Sequence, residues 1–276
     1  MFPQSLSPWL NERTLRDQSN LALNSSSTYA FAITMKRLLI NLDDFGMCPS
    51  INAAIHHLLS QGIIQSASLM AVGVYFEEAV RMLKDLSLKQ IGVHLSLTSE
   101  YIKLPTAPLT GLPSLQNRNG FFPQECPTRK DNLGLSEIQK ELEAQIERVI
   151  NEGFRISRLD GHMFFYEEAT YGNQDLLRIV SSLAAKLGVR YRNTPLSTTY
   201  FIWDGYSDTH SRHLYYRELL KNEPFDMAEL ILHPAVGLNG LESFTTEGER
   251  RVADYSFFSS LDFRSLVRAK EIEVTP

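Results

Sequence analysis

Cysteine is scarce in this chain: Cys48 and Cys126 are the only two among 276 residues. Two thiols make neither a disulfide scaffold nor a four-thiolate metal site. Any bound metal must therefore take its ligands from histidine and carboxylate. Long hydrophobic runs are also missing, and no stretch approaches the roughly 18 apolar residues of a membrane span. Positive charge is not in excess. Against 27 Lys+Arg stand 32 Asp+Glu, a formal net charge of -5, which argues against nucleic acid or an anionic membrane as partner. There is no internal repeat, no P-loop and no GxGxxG after the first strand-like run, which weakens a nucleotide-binding reading.

What remains is ordinary globular material, 43% hydrophobic and 10% aromatic, long enough to bury a core without staples. Residues 1–34 differ from the rest. They are rich in Ser, Asn, Thr and Leu, and Glu12, Arg13, Arg16 and Asp17 are their only charges. They are expected to be a disordered or mobile extension, with Met35 as an alternative start. No cationic start precedes an apolar stretch, so a secretory signal is not expected and the cytoplasm is the expected location.

From Lys36 onward, strand-like and helix-like pieces alternate. Strands are expected at Arg37–Leu42, Ser66–Val72, Ile91–Leu95, Arg155–Asp160, Val189–Arg192, Glu229–Leu232 and Glu271–Thr275. Helices are expected from Pro49-Ser50 to Gln61 with Ser50 as N-cap, and near Phe76–Lys84. Others are expected at Ser136–Glu152 with a Ser136/Gln139 capping box, at Asp175–Leu187, and near Phe263–Lys270. Residues 101–134 hold five prolines and read as an excursion from the core. About seven βα units without a linker predict an α/β fold with a parallel sheet. An incomplete barrel over residues 35–276 suits that count, and an open doubly wound sheet is the alternative.

In such folds reactive groups collect at the C-terminal ends of strands. After the first expected strand come Asp43 and Asp44. The third ends in His94, the fourth in Asp160 followed by His162, the fifth near Asn193, and the sixth at His233. Adjacent aspartates can simply cap a helix. After a mostly apolar strand, one can instead face a metal and the other a reacting water. Asp44, His94 and His162 make an Asp/His/His set suited to Zn or another divalent metal. Asp160 can orient a ligand histidine or merely make a turn. His233, held by Pro234, can be a general acid or base or a structural histidine. His56 and His57 fall mid-helix and read as structural. His210 and His213 lie in a polar segment expected to be a solvated face. Nothing beside Cys48 marks it as an activated thiolate.

These residues carry a resemblance. Leu39–Gly46, reading Leu-Ile-Asn-Leu-Asp-Asp-Phe-Gly, resembles the opening motif of the YdjC-like carbohydrate deacetylases. The likeness continues through Asn52–Ile55, Gly62-Ile63, Ser66–Met70, Phe76–Ala79, Gly92–Thr98, Leu159–His162 and Leu232–Pro234, in order, over roughly residues 36–275. It implies a distorted (β/α) barrel and metal-dependent hydrolysis of N-acetyl groups on amino sugars or their oligosaccharides. By matching positions it implies Asp44, His94 and His162 as ligands of a divalent ion (Mg or Zn). It also implies Asp43 as general base and His233 as the acid histidine. The sequence departs from the family pattern at Gly161, Met163, Phe164 and Tyr166, where the family has Ser and then Gln-His-Val-His around the ligand histidine. Ser96 and Ala235 also differ from the usual Asn and Gly. The departures bear on the substrate more than on the metal.

The expected reaction is acetate release by metal-activated water, with an acetylated amino sugar or oligosaccharide as partner, and it is compatible with a homodimer. Tyr101, Phe121, Phe122, Phe164, Phe165 and Tyr166 are candidates for stacking on sugar faces, some of them being core. The rival readings are a metal-dependent hydrolase of another amide or ester, a non-catalytic carbohydrate-binding relative, and a two-carboxylate glycosidase, which would leave the histidines unexplained.

Overall fold

The run Arg37–Phe45 is apolar except at its first residue and at Asn41, Asp43 and Asp44, and it forms the central strand β1, buried from Leu38 onward. The computed structural model describes residues 36–125, 134–166, 174–192, 198–201, 208–239, 241 and 247–276. The expected extension 1–34, Met35, Cys126 and Asn193 lie outside them. After β1 come α1 (Pro49–Ser60), β2 (Ser66–Leu69), α2 (Phe76–Asp85), β3 (Gln90–Leu95), α3 (Leu135–Asn151) and β4 (Arg155–Gly161). Then follow α4 (Gln174–Leu187), β5 (Arg190–Tyr191), β6 (Thr198–Phe201), α5 (Thr209–Asn222), β7 (Met227–Leu232), α6 (Gly248–Phe258), α7 (Leu261–Ala269) and β8 (Glu273–Thr275).

The eight strands form one sheet in the order β5-β4-β3-β2-β1-β7-β6, with β8 beside the first half of β1. Every pairing is parallel. The ends of this order, β5 and β6, are consecutive in sequence. Six inter-strand gaps would put the edges of a flat sheet about 29 Å apart. The seven residue steps from Tyr191 to Thr198 reach at most about 25 Å. The sheet must curl, and the fold is the incomplete (β/α) barrel expected, not an open doubly wound sheet.

The curl gives each strand two buried faces of different character. Leu38, Ile40 and Leu42 alternate with Asn41 and Asp43 along β1, and all are buried. Register carries the second set across the sheet. Asn41 lies opposite Ser66, Ser68 opposite Gly92, and His94 opposite Asp160. Since side chains alternate with period two, Asn41, Asp43, Ser66, Ser68, His94, Arg158, Asp160 and Glu229 share the inner face. The apolar face packs outward, with α3 laid across β3 and β4.

Several local expectations are corrected. Ser50 does not cap α1: Cys48 stands at the N-cap, Pro49 opens the first turn, and Ser50 Oγ instead donates to the Gly237 carbonyl at 2.7 Å. The Ser136/Gln139 capping box does not form, because α3 already starts at Leu135 behind Gly134. Gln139 donates instead to Glu143, one turn along the helix. The segment expected as a solvated face is α5, which buries Arg212, Tyr216, Leu219 and Leu220. Arg212 Nε donates to Asp254 Oδ1 at 2.5 Å, as does the Tyr216 hydroxyl at 2.6 Å. β6 and α6 are further additions. The excursion after β3 also enters the core, through Leu115 and Phe122.

Candidate metal centre and active site

Neighbouring residues of a regular strand point to opposite faces. Asp43 and Asp44 both turn inward because β1 is irregular at its end. Its pairing with β2 shifts register between Leu42 and Phe45, and Asp44 takes a left-handed backbone with φ 69°. A non-glycine residue pays about 1–2 kcal/mol for that conformation. Gly46 (φ 101°) completes the turn, its N–H donating to Asn52 Oδ1 at 2.7 Å.

Three strand ends then converge. Asp44 Oδ1 lies 3.2 Å from His94 Nε2 and 3.1 Å from His162 Nδ1, and the two nitrogens are 3.2 Å apart. All three side chains are buried. The far side of each ring is held by a carboxylate: His94 Nδ1 donates to Asp160 Oδ1 at 2.5 Å, and His162 Nε2 to Glu100 Oε1 at 2.6 Å. These partners fix the tautomers, so Nε2 of His94 and Nδ1 of His162 are directed at Asp44.

A divalent ion fits this triangle. Its edges match neighbouring donors at about 2.0–2.2 Å from a common centre. Asp44 Oδ1 is buried and receives no well-formed hydrogen bond, while Oδ2 lies 2.8 Å from Arg251 Nη2 in an ion pair. The surrounding charge points the same way. Asp43, Asp44, Asp160, Glu229 and Glu100 face Arg158, Arg192 and Arg251, which leaves two negative charges over. Burial alone would lower the pKa of His94, but Asp43, Asp160 and Asp44 raise it to about 9. Burial is likewise outweighed at His162, where Glu100 and Asp44 raise the pKa to about 10. The negative field that holds protons on these imidazoles is one a cation could take up in their place.

Asp43, His94 and Asp160 form a second close group, but its charges already have partners. Arg192 grips Asp43 with two bonds, Nη1 to Oδ2 at 2.9 Å and Nη2 to Oδ1 at 2.8 Å, and Asn41 Nδ2 donates to Oδ1 at 2.7 Å. Arg158 Nε lies 3.2 Å from Asp160 Oδ2. Burial would raise the Asp43 carboxyl, yet Arg192 holds it well below the usual carboxylate range. His233 follows β7, with Nε2 3.9 Å from Asp43 Oδ2. Burial pushes its pKa down to about 3 against the pull of Asp44 and Asp43.

Of the seven residues named at the strand ends, the structure gathers six, Asp43, Asp44, His94, Asp160, His162 and His233; the seventh, Asn193, lies outside the described residues. The structure adds Glu100, Arg192 and Arg251, which sequence reasoning passed over. Arg192 ends the stretch read as the fifth strand, the one signal available for it. Glu100 and Arg251 had none. The remaining histidines lie elsewhere. His57 is exposed, its Nδ1 2.8 Å from the Tyr255 hydroxyl, and His213 Nε2 is 2.8 Å from Ser256 Oγ. Burial raises the pKa of the Cys48 thiol, which suits an inert residue.

The family described as YdjC-like protein matches residues 37–269. The chain belongs to the YdjC-like family. A carbohydrate deacetylase of Listeria monocytogenes serotype 4b (strain CLIP80459) is 28% identical over 253 residues, 86% of this chain and 97% of its own length. One from Enterococcus faecalis (strain ATCC 700802 / V583) is 31% identical over 163 residues, 59% and 60% of the two chains. A crystal structure of a proposed cellobiose-phosphate cleavage protein from E. faecalis V583 superposes with a TM-score of 0.71 at 23% identity, covering 87% of this chain and 97% of that one. That last likeness concerns the fold. Among the described residues, no helix of this YdjC-like chain is long and apolar enough to cross a membrane.

The residues after His162 are shaped by packing. A Cβ on Gly161 would stand 2.7 Å from Tyr166 Cε1 and 3.1 Å from Phe165 Cδ1, so those two rings require glycine there. Phe122, Phe165 and Tyr166 are almost wholly buried and are core, not stacking platforms. Tyr101, Phe121 and Phe164 are half-buried. Met163 and Phe164 both have positive φ, 56° and 52°, and Arg192 lies 5.9 Å from the Phe164 ring centroid. A narrow pocket of about 10 Å³ opens beside His162 and Glu100, its apolar wall made by Met47, Met70, Val74 and Leu104.

Proposed function

We propose that this YdjC-like chain, a carbohydrate deacetylase by kinship, removes N-acetyl groups from amino sugars or their oligosaccharides with the help of a divalent metal. The catalytic domain is residues 35–276, to which residues 1–34 are an addition. The observation that carries the reading is the triangle of Asp44 Oδ1, His94 Nε2 and His162 Nδ1, with edges of 3.1–3.2 Å. Those three residues would hold the ion, Zn or Mg. When bound, it would supply a Lewis acid for the acyl carbonyl and an acidified water.

The chain's own groups do the rest. Asp43, oriented by Arg192 and Asn41, accepts the water's proton at Oδ2. A carboxylate stabilised this strongly by Arg192 is a weak base and keeps the proton only briefly. His233 Nε2 lies 3.9 Å from Asp43 Oδ2, placed to take the proton on. Burial keeps His233 neutral at rest, so the proton it delivers to the leaving nitrogen is the one taken up in the same turnover. Asp160 and Glu100 keep the imidazoles aimed inward throughout. The test is acetate release from acetylated chito-oligosaccharides, with metal analysis of the same preparation. Wild type should release acetate and carry one divalent ion, and His94→Ala should lose both. Equal release by the variant would sink the reading.

A second reading, release of another acyl group by the same metal chemistry, rests on the apolar side chains of Met47, Met70, Val74 and Leu104 beside His162. A panel of acylated amino sugars, scored for the acid released, separates the two.

A further inference from the structure

We infer that Arg251 confines Asp44 to one ligating oxygen and thereby sets which cations the centre accepts. The inference rests on the metal-dependent reading above. The two oxygens of Asp44 are divided between opposite neighbours. Oδ1 faces both imidazole nitrogens, while Oδ2 lies 2.8 Å from Arg251 Nη2. Both ends of this contact are fixed. Asp44 is fully buried on a left-handed backbone. Arg251 is buried on α6, and its carbonyl accepts from the Ala235 N–H at 3.0 Å. The same helix carries Asp254 one turn on, whose Oδ2 accepts the backbone N–H of His233 at 3.4 Å. α6 thus reaches one residue to the ligand aspartate and another to the proton-carrying histidine.

A carboxylate held this way cannot swing both oxygens onto an ion without giving up a buried ion pair. Cations content with few N and O donors, such as Zn2+, lose nothing by that. Ca2+ takes 6–8 oxygens and often draws on both oxygens of a carboxylate, so it is disfavoured. Arg251 is therefore a positioning residue, acting through Asp44.

The first test is a crystal structure of the Zn2+-loaded wild-type chain. The second is calorimetric titration of Zn2+ and Ca2+ into wild type, Arg251→Lys and Arg251→Met. Lysine keeps the charge and loses the guanidinium; methionine loses both. The structure should show only Oδ1 bonded to the ion, with Oδ2 still on Arg251. In both variants Zn2+ affinity should fall about 10–100-fold, the usual cost of removing a residue that orients a ligand, and the preference for Zn2+ over Ca2+ should narrow. An ion bound through both oxygens in wild type overturns the inference, as does an unchanged preference in either folded variant. Should Arg251→Met fail to fold, Arg251→Lys and the wild-type structure decide. A wild-type chain that binds no ion at Asp44 overturns the metal reading itself, a different result from two-oxygen binding.

Discussion

The two faces of the same sheet are both buried and are built on opposite principles. Outward, Leu38, Ile40 and Leu42 of β1 meet an apolar layer of helices. Burying each such side chain gains about 1.5–3 kcal/mol. Inward, at alternate positions of the same strand, Asn41 and Asp43 enter a network of guanidinium, carboxylate and imidazole groups. Burying charge costs several kcal/mol per ion before pairing repays it, and apolar residues of like volume often do as well or better. The outer face therefore accounts for stability. The inner face is a cost that stability does not explain, and its repayment lies in what the gathered charges do.

Four measurements can break or sharpen this contrast. The largest effect is expected inside. Asp43→Asn should lower acetate release by about 10²–10⁴-fold, the typical share of a general base, while metal content stays at the wild-type level. Loss of metal in that variant would move Asp43 into the ligand set. Outside, Ile40→Ala should cost about 2–5 kcal/mol in denaturant unfolding and leave KM and metal content alone. A changed KM would show that the faces are not independent. At their meeting point, Gly161→Ser should lose about 1–3 kcal/mol by overpacking against Tyr166, and shrinking that ring in Gly161→Ser/Tyr166→His should restore most of it. Stability unchanged in the single variant would mean that the ring yields freely. Smallest of all, His57→Ala on the exposed face of α1 should stay within about 0.5 kcal/mol of wild type with full activity. A loss of activity there would overturn the view that the mid-helix histidines are structural.

The parts legible in the sequence share one property: they are local. An apolar run broken by Asp43-Asp44, a strand ending in His94, and Asp160 two residues before His162 can all be read along the chain, because strand ends in a parallel fold lie on one edge. The parts passed over are non-local. Arg192 grips Asp43 across 149 residues of chain, and Arg251 reaches Asp44 from a helix whose polar pattern gave no sign of it. Arg212 shows the cost of judging by composition. Its neighbours are polar, yet it is almost wholly buried against Asp254 of a distant helix. The stacking candidates divide for the same reason, since nothing along the chain separates the core rings Phe165 and Tyr166 from the half-buried Phe164.

By itself, then, the sequence determined the alternation of strand and helix, the parallel sheet that alternation implies, and the His and carboxylate donors at its edge. Periodicity and strand-end position are properties of neighbouring residues. Only the tertiary structure decided how far the sheet curls, which oxygen of Asp44 faces the histidines, and which arginines balance the buried carboxylates. Those depend on electrostatic and packing contacts between groups far apart in the chain, whose energies exist only once the barrel has brought them within a few ångströms.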